Sequence, residues 1–302
     1  MKSSDKTQRK MKKDDREKNI VHKHNDKHGR TNNRDDRRNR SNNHDEGNGL
    51  NIRNERIMAT EGTEIICGRN PVDELKKSGR EIDTLYVQRG SNSSAEAIAH
   101  RAKKQGVKVR YVDRRVLDEA AGGIPHQGIL CTTSPFEYTD LDEILKSIDR
   151  TALLILLDGI EDPHNLGAII RTAECVGASG VVIPKRHSAS VNQTVAKSSA
   201  GAVEYMPCAR VSNIASTIDK LKEHGFWIYA CDMDGENLFD AKIEGKVAIV
   251  IGNEGSGVSR LVKEKCDFNL AIPMKGHIDS LNASNAAALV MYEVLRKQTR
   301  AD

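Results

Sequence analysis

The sequence predicts an α/β protein: a small α/β domain, then a larger one built on a mostly parallel sheet with helices on both faces. Two observations predict this. Nearly continuous apolar runs, such as ALLILLD (152–158) and VAIVIG (247–252), alternate with segments of helical period through the second half of the chain. Capping residues and glycines punctuate those segments, as Asp162, Pro163 and Gly177 do around LGAIIRTAECV.

The leading residues carry neither pattern. Residues 1–56 contain no aromatic residue and six aliphatic or Met residues, with 17 Lys and Arg against 10 Asp and Glu. The other residues hold 30 against 33, so the basic excess behind the net charge of +4 belongs to this stretch. Such a segment buries too little surface to offset chain entropy, which predicts a disordered charged tail over 1–60. It suits a solvated extension and an arm for nucleic acid equally well. His22, His24 and His28 read as polar residues of that tail.

Order is expected from Glu64. EIICG (64–68), IDTLYV (82–87), VKVRYV (107–112) and HQGILCTT (126–133) read as strands, with helices over NPVDELKKSG and SSAEAIAHRAKKQG between them. These make a small domain over 61–137. A polar linker with one short helix follows over 138–150. The larger domain, 151–302, then reads as strand ALLILLD, helix, strand GVVIP, helix NQTVAKSSAG, strand AVEYMP and helix SNIASTIDKLKEHG. Strands FWIYACD, VAIVIG and FNLAIP and a long final helix complete it.

Composition excludes several classes. With 37% hydrophobic and 30% charged residues, the chain can build two cores. Its apolar runs are far shorter than the roughly 20 residues of a membrane span, and no apolar segment follows the first charges, which predicts a cytoplasmic protein with no membrane partner. The six cysteines form no CxxC pair, so no zinc or redox site is expected, and most read as buried thiols. No cluster of ligating side chains predicts a metal.

In parallel sheets ligands bind beyond the carboxyl ends of the strands. Three loops stand there: DGIEDPHN after Leu157, GNEGSG (252–257) after Ile251, and PMKGHIDSLNAS (273–284) after Ile272. The second is not a dinucleotide fingerprint. Its glycines run GxxGxG late in the chain, and Glu254 inside it would repel phosphate. A carboxylate in a glycine-rich ligand loop suits a cation, or a cationic side chain that must be held, for which Arg171 is the candidate. In the helix after the first loop, Leu166, Ile169, Ile170, Ala173 and Val176 form an apolar stripe, whereas Arg171 lies among small neighbours such as Gly167. Those small neighbours leave Arg171 open to the close approach of another group. In the third loop Ser280 or Asn282 can cap the last helix, but capping does not account for Ser280, Asn282, Ser284 and Asn285 together.

DGIEDPHNLGAIIRTAECVGASGVVIP, IVIGNEGSGVSRLV and AIPMKGHIDSLNASNAAALVMYEVLR, in this order and spacing, resemble the three signature motifs of the SpoU, or TrmH-like, RNA ribose methyltransferases of the SPOUT class. The leading domain, with HQGI at 126–129, resembles the substrate-binding domain of the RlmB-type branch, which methylates guanosine in 23S rRNA. The resemblance implies a parallel sheet with a carboxyl-terminal trefoil knot, a homodimer, and S-adenosyl-L-methionine as cofactor. By matching positions it implies cofactor contacts from Gly252, Ile272 and Leu281, and a polar active site of Asn165, Arg171, Glu254, Ser280 and Asn282.

The implied reaction moves a methyl group from a sulfonium to a ribose 2′-oxygen, so alignment carries much of the catalysis. A guanidinium keeps its proton, so Arg171 reads as a stabiliser of the developing alkoxide and a grip on the phosphate, with Glu254 orienting it. Asn165 and Ser280 then position the ribose. Two rivals stand beside 23S rRNA methylation: a tRNA ribose substrate, and a non-catalytic RNA-binding assembly factor. The intact NEGSG and SLNAS loops argue against the latter, because a scaffold needs no cofactor pocket.

Overall fold

The computed structural model describes residues 56–148 and 150–301. The tail expected over 1–60, with its histidines, therefore falls almost wholly outside the described residues. Within them Ile57 is already buried, against Cys67, Val112 and Leu117.

The first sheet is mixed. Its elements are β1 (Glu64–Cys67), α1 (Arg69–Lys77), β2 (Ile82–Gln88), α2 (Ser93–Lys104), β3 (Lys108–Val112), α3 (Arg114–Ala121) and β4 (Ile129–Thr133). The strand order is β1-β4-β2-β3, with β2 and β3 parallel and β4 antiparallel to both its neighbours. All of β4 is buried, because it lies between two strands under helices. HQG of the expected strand HQGILCTT forms instead the turn that enters it. Helix α3, which the sequence reading left unassigned, buries only Leu117 and Ala121 and so shows a short periodic signal.

Residues 138–148 pack on the second sheet. Thr139 forms a parallel bridge with Ala209, its N–H donating to the Cys208 carbonyl at 2.9 Å. Val191 N–H donates to the Tyr138 hydroxyl at 2.9 Å, and α4 (Leu141–Lys146) buries Leu141, Ile144 and Leu145.

The second sheet has the strands β5 (Ala152–Asp158), β6 (Gly180–Pro184), β7 (Cys208–Val211), β8 (Trp227–Asn237), β9 (Lys246–Gly252) and β10 (Phe268–Ala271). Its helices are α5 (Pro163–Cys175), α6 (Gln193–Ser198), α7 (Ile214–Glu223), α8 (Arg260–Lys265) and α9 (Ala283–Ala301). The order is β10-β8-β9-β5-β6-β7, and every neighbouring pair is parallel. Along β5, Leu153, Ile155 and Leu157 join the core on one face, and Leu154 and Leu156 join the core on the other. That two-sided burial is why the strand is continuously apolar, at about 1.5–3 kcal/mol per buried side chain.

One expected strand is corrected. In AVEYMP (202–207), Ala202–Glu204 form a 3₁₀ turn, and the edge strand is the following Cys208–Val211. Gly201 ends the preceding turn at φ 93°, and pairing with β6 begins only at Cys208, opposite Val181. Strand β8 also outruns its expected end at Asp232 and continues to Asn237.

Chain order reverses across the pair β5 and β9. Their last residues, Asp158 and Gly252, are register partners, so the first two loops leave the sheet side by side. This switch point is where ligands bind in open parallel sheets.

Candidate active site

The loop after β9 doubles back on itself. Asn253 N–H donates to the Gly257 carbonyl at 3.1 Å, and Gly257 N–H returns the bond to Asn253 at 2.8 Å. A Cβ at Gly252 would stand 2.1 Å from the Gly257 carbonyl carbon, so no side chain fits there. The glycine permits this backbone approach. Asn253 also ties the loop to its neighbour: its Nδ2 donates to the Gly159 carbonyl at 2.9 Å, while Gly255 N–H donates to its Oδ1 at 2.8 Å. Ser259 N–H donates to Asp158 Oδ2 at 2.7 Å, a second tie between the loops.

Helix α5 begins as its sequence predicts. Asp162 caps it, accepting from His164 N–H at 2.8 Å, with Pro163 at its first position. One turn in, the buried Asn165 side chain points to the other two loops. Its Nδ2 donates to Glu254 Oε1, and its Oδ1 accepts from Asn282 Nδ2 at 2.9 Å. With a carboxylate on one side and an amide N–H on the other, only one amide orientation satisfies both partners. Asn282 also caps α9: its Oδ1 accepts from Ser284 N–H at 3.0 Å and from Ser284 Oγ at 2.6 Å. One residue thus starts the last helix and joins it to α5.

Beside this chain lies a cavity of about 380 Å³, within the range of roughly 300–1,000 Å³ typical of small-ligand sites. Gly252, Glu254, Ile272, Ser280 and Leu281 line it, which are five of the eight expected site residues. Asn165 and Asn282 join it through Glu254. Ile251, Leu270 and Leu281 give it apolar walls, and Glu254 and Asp279 give it negative charge. Ser280 Oγ donates to Asp279 Oδ1 at 3.3 Å.

The sequence reading missed one wall. Cys231, Asp232 and Met233 of β8 also line the cavity. The signal was present, since CDMDGEN follows an apolar strand at the same sheet edge, but the strand's end was placed at Asp232. Burial pushes the Asp232 carboxyl up. The hydrogen bond from Lys263, 2.8 Å away, and the backbone N–H groups of Asp234 and Met233 outweigh it and hold the carboxyl below the usual aspartate range. Burial pushes the Cys231 thiol up to about 12, with Cys266 and Asp232 adding to the effect, which disfavours the thiolate. Cys67, Cys131 and Cys208 are buried as expected, Cys231 and Cys266 partly so, and Cys175 is exposed.

Arg171 is not brought to this cavity. It lies six residues beyond Asn165 on α5, about 9 Å along the axis and on another face, and it is exposed. The orienting contact expected from Glu254 is absent among the described residues: Arg171 stands on another face of α5, and Glu254 receives Asn165. The reason given for the small neighbours is also corrected. A Cβ at Gly167 would stand 1.9 Å from Ser198 Oγ and 2.9 Å from the Val195 carbonyl oxygen, so Gly167 is small because α6 packs there.

The cavity's apolar walls, close backbone and three carboxylates, of which Asp232 is paired with Lys263, fit a cationic ligand with an apolar part, and fit a phosphate poorly. The chain's similarities agree. Residues 152–292 match the SpoU rRNA Methylase family, and residues 65–139 match the domain described as RNA 2′-O ribose methyltransferase substrate binding. A protein of Staphylococcus haemolyticus, named for the TrmH family of tRNA/rRNA methyltransferases, is 47% identical over 239 residues, covering 78% of this chain and 96% of the relative. One of Bacillus subtilis with the same family name is 44% identical over 241 residues, with the same coverage. Among solved structures, the SpoU methyltransferase AviRb of Streptomyces viridochromogenes, in complex with the cofactor AdoMet, superposes with a TM-score of 0.67. It is 26% identical, over 78% of this chain and 91% of AviRb. The chain therefore belongs to the SpoU/TrmH family of RNA methyltransferases.

Proposed function

We propose that the chain transfers the methyl group of S-adenosylmethionine to the ribose 2′-hydroxyl of a guanosine in 23S rRNA, the sulfur–methyl bond breaking to leave S-adenosylhomocysteine and the hydroxyl proton passing to solvent. When bound, S-adenosylmethionine supplies a methyl group already activated on a sulfonium. Gly252, Ile272 and Leu281 hold it by backbone and apolar contact. Glu254 and Asp279 complement its positive charge, whereas the Asp232 charge is taken by Lys263.

Asn165 and Ser280 position the ribose. Glu254 and Asn282 fix the Asn165 amide before substrate arrives, so its orientation costs nothing at the moment of reaction. The Arg171 guanidinium stabilises the developing alkoxide and grips the adjacent phosphate. It reaches the site from a second copy of the chain. Its exposure outside the cavity supports this homodimer, as do the exposed Leu289 and Tyr292 on α9. The chain is cytoplasmic in this reading, and its last segment threads as a trefoil knot.

The observation that carries the proposal is the hydrogen-bonded chain Asn282–Asn165–Glu254, which joins all three loops beside one cavity. What supports 23S rRNA over tRNA is the leading domain with HQGI. Mass mapping of ribose methylation in cells lacking the protein tests it. Loss of one 2′-O-methylguanosine from 23S rRNA is expected. A loss confined to tRNA replaces the substrate, and an unchanged map overturns the proposal.

A further inference from the structure

The loop that leaves β6, KRHS (185–188), emerges from the same sheet edge as the three loops of the site, because every pair of strands in that sheet is parallel. Its residues do not line the cavity. Lys185, Arg186 and His187 are exposed in a row.

This loop is strained and rigidly held. His187 has φ 54°, in the left-handed region, although it is not glycine. Such a conformation persists only where the surroundings over-determine it, and it concentrates at functional sites. Hydrogen bonds on both sides of His187 hold the loop. Lys185 N–H donates to the Val211 carbonyl at 2.8 Å, Ala189 N–H to the Ile160 carbonyl at 2.8 Å, and Val191 N–H to the Tyr138 hydroxyl at 2.9 Å. The bond to Ile160 ties the loop to the first loop of the site, just ahead of Asn165, and Ala189 is buried at that junction. The cations therefore stand at a fixed place beside the site.

A third cation joins them from β7. Arg210 is exposed, its Nη2 donates to the Lys185 carbonyl at 3.4 Å, and its guanidinium lies 5.2 Å from the centre of the Tyr138 ring. Among the described residues, no carboxylate comes within ion-pair distance of Lys185, Arg186 or Arg210. The amino edge of the same sheet differs. There Lys222, at the end of α7, pairs with Asp267 at 2.7 Å, and Lys265, at the end of α8, pairs with Asp219. Near the cations, Asp162 is engaged in capping α5 and Asp158 accepts from Ser259 N–H, whereas Glu161 and Glu137 are exposed. Three uncommitted cations thus outnumber the uncommitted carboxylates.

Fixed, unpaired cations in a short row suit a chain of phosphates, and guanidinium groups suit a phosphate's paired oxygens. We propose that the loop after β6 is a phosphate grip: Lys185, Arg186 and Arg210 bind the RNA backbone beside the nucleotide whose ribose enters the site. The inference rests on the reading that the chain acts on RNA, and it adds the side of the catalytic domain from which the strand approaches.

Two double variants and two RNAs test it. Lys185→Ala with Arg186→Ala removes the grip, and Lys222→Ala with Lys265→Ala removes two charges from the amino edge instead. Each protein is titrated, over a range of salt, with an unmodified 23S rRNA transcript and an unmodified tRNA transcript. The loop variant is expected to bind at least tenfold more weakly than wild type, with a salt dependence flatter by about 0.7–0.9 in slope per lost phosphate contact. The amino-edge variant is expected to stay within twofold. S-adenosylmethionine affinity should match wild type in both, which reports that they are folded. Should the loop variant lose it, Arg210→Ala tests the same grip from β7, with at least a threefold loss of RNA affinity expected and an unchanged affinity overturning the proposal. A loop variant within twofold of wild type overturns the grip. So does an equal loss in the amino-edge variant, which would mean attraction by charge anywhere on the surface, and so does a wild type that binds neither RNA. A phosphate carries no sequence, so the grip and the proposed substrate fail separately. Weakened RNA binding with methylation confined to tRNA, or with none, removes the proposed substrate or activity and leaves the grip. Methylated 23S rRNA with unchanged RNA binding removes the grip alone.

Discussion

Asn282 Nδ2 donates to Asn165 Oδ1 at 2.9 Å, although 117 positions separate the two residues. The same Asn282 caps α9, and the same Asn165 holds Glu254, so one amide pair sets three loops at one sheet edge. Replacing Asn165 by Ala leaves Asn282 Nδ2 and Glu254 without this partner. The expected cost is about 1–3 kcal/mol of stability, read by thermal or denaturant unfolding, together with at least a hundredfold loss of methyl transfer. A variant with near-normal turnover would remove the amide from the mechanism.

Gly252 admits no side chain. With the Gly257 carbonyl carbon 2.1 Å from the place of a Cβ, Gly252→Ala must displace backbone on both sides of the loop. Calorimetric titration should show loss of S-adenosylmethionine binding. The far-ultraviolet circular dichroism should stay near wild type, because β5 and β9 are buried along lengths the loop does not touch. Cofactor affinity that survives the substitution would place the methyl donor elsewhere.

Arg171 is exposed and outside the cavity, and the proposal has it act across a dimer. Arg171→Ala is expected to keep the fold and cofactor affinity and to lose methyl transfer at least a hundredfold. Mixing Arg171→Ala chains with Asn165→Ala chains should restore activity, since one site of each mixed dimer then has both groups intact. Two inactive parents whose mixture stays inactive after subunit exchange would show that Arg171 serves its own chain.

Much of this was legible in the sequence, and what was not has physical causes. Strand β5 announces itself because burial on both faces leaves no room for a polar residue. The loops could be placed because strand ends and glycines mark them. The Asn282–Asn165 bond could not, since a hydrogen bond between distant positions leaves no periodic trace. Strand β8 was cut short at Asp232 because its last residues are polar, and only the structure shows Met233 lining the cavity. Gly167 was misread for a similar reason: a small residue marks a close approach without saying what approaches, and here it is Ser198. The edge strand β7 was placed too early because Val203 and Met206 are buried in a turn as apolar residues are in a strand.

The pair Asp232–Lys263, at 2.8 Å on the cavity wall, gives a pH dependence with a definite sign. Burial works against the Asp232 carboxylate, and Lys263 with two backbone N–H groups more than offsets it, so the folded-state pKa lies below the unfolded one. The stabilisation is complete above the ordinary aspartate value of about 3.9 and is lost as pH falls through the folded value. Comparing thermal midpoints of wild type and Asp232→Asn, the gap should be steady near neutrality and shrink below about pH 4. A gap that widens on acidification contradicts this assignment.

The central claim is that this cavity delivers a methyl group to a ribose oxygen of RNA. A ribose 2′-O-methyl group protects the adjoining phosphodiester from alkali, whereas a methyl on a base does not. The direct measurement incubates the protein with methyl-labelled S-adenosylmethionine and unmodified 23S rRNA, then hydrolyses the RNA in alkali. The account predicts label in an alkali-resistant dinucleotide that begins with guanosine. Label released in mononucleotides, or no label in RNA at all, would contradict it.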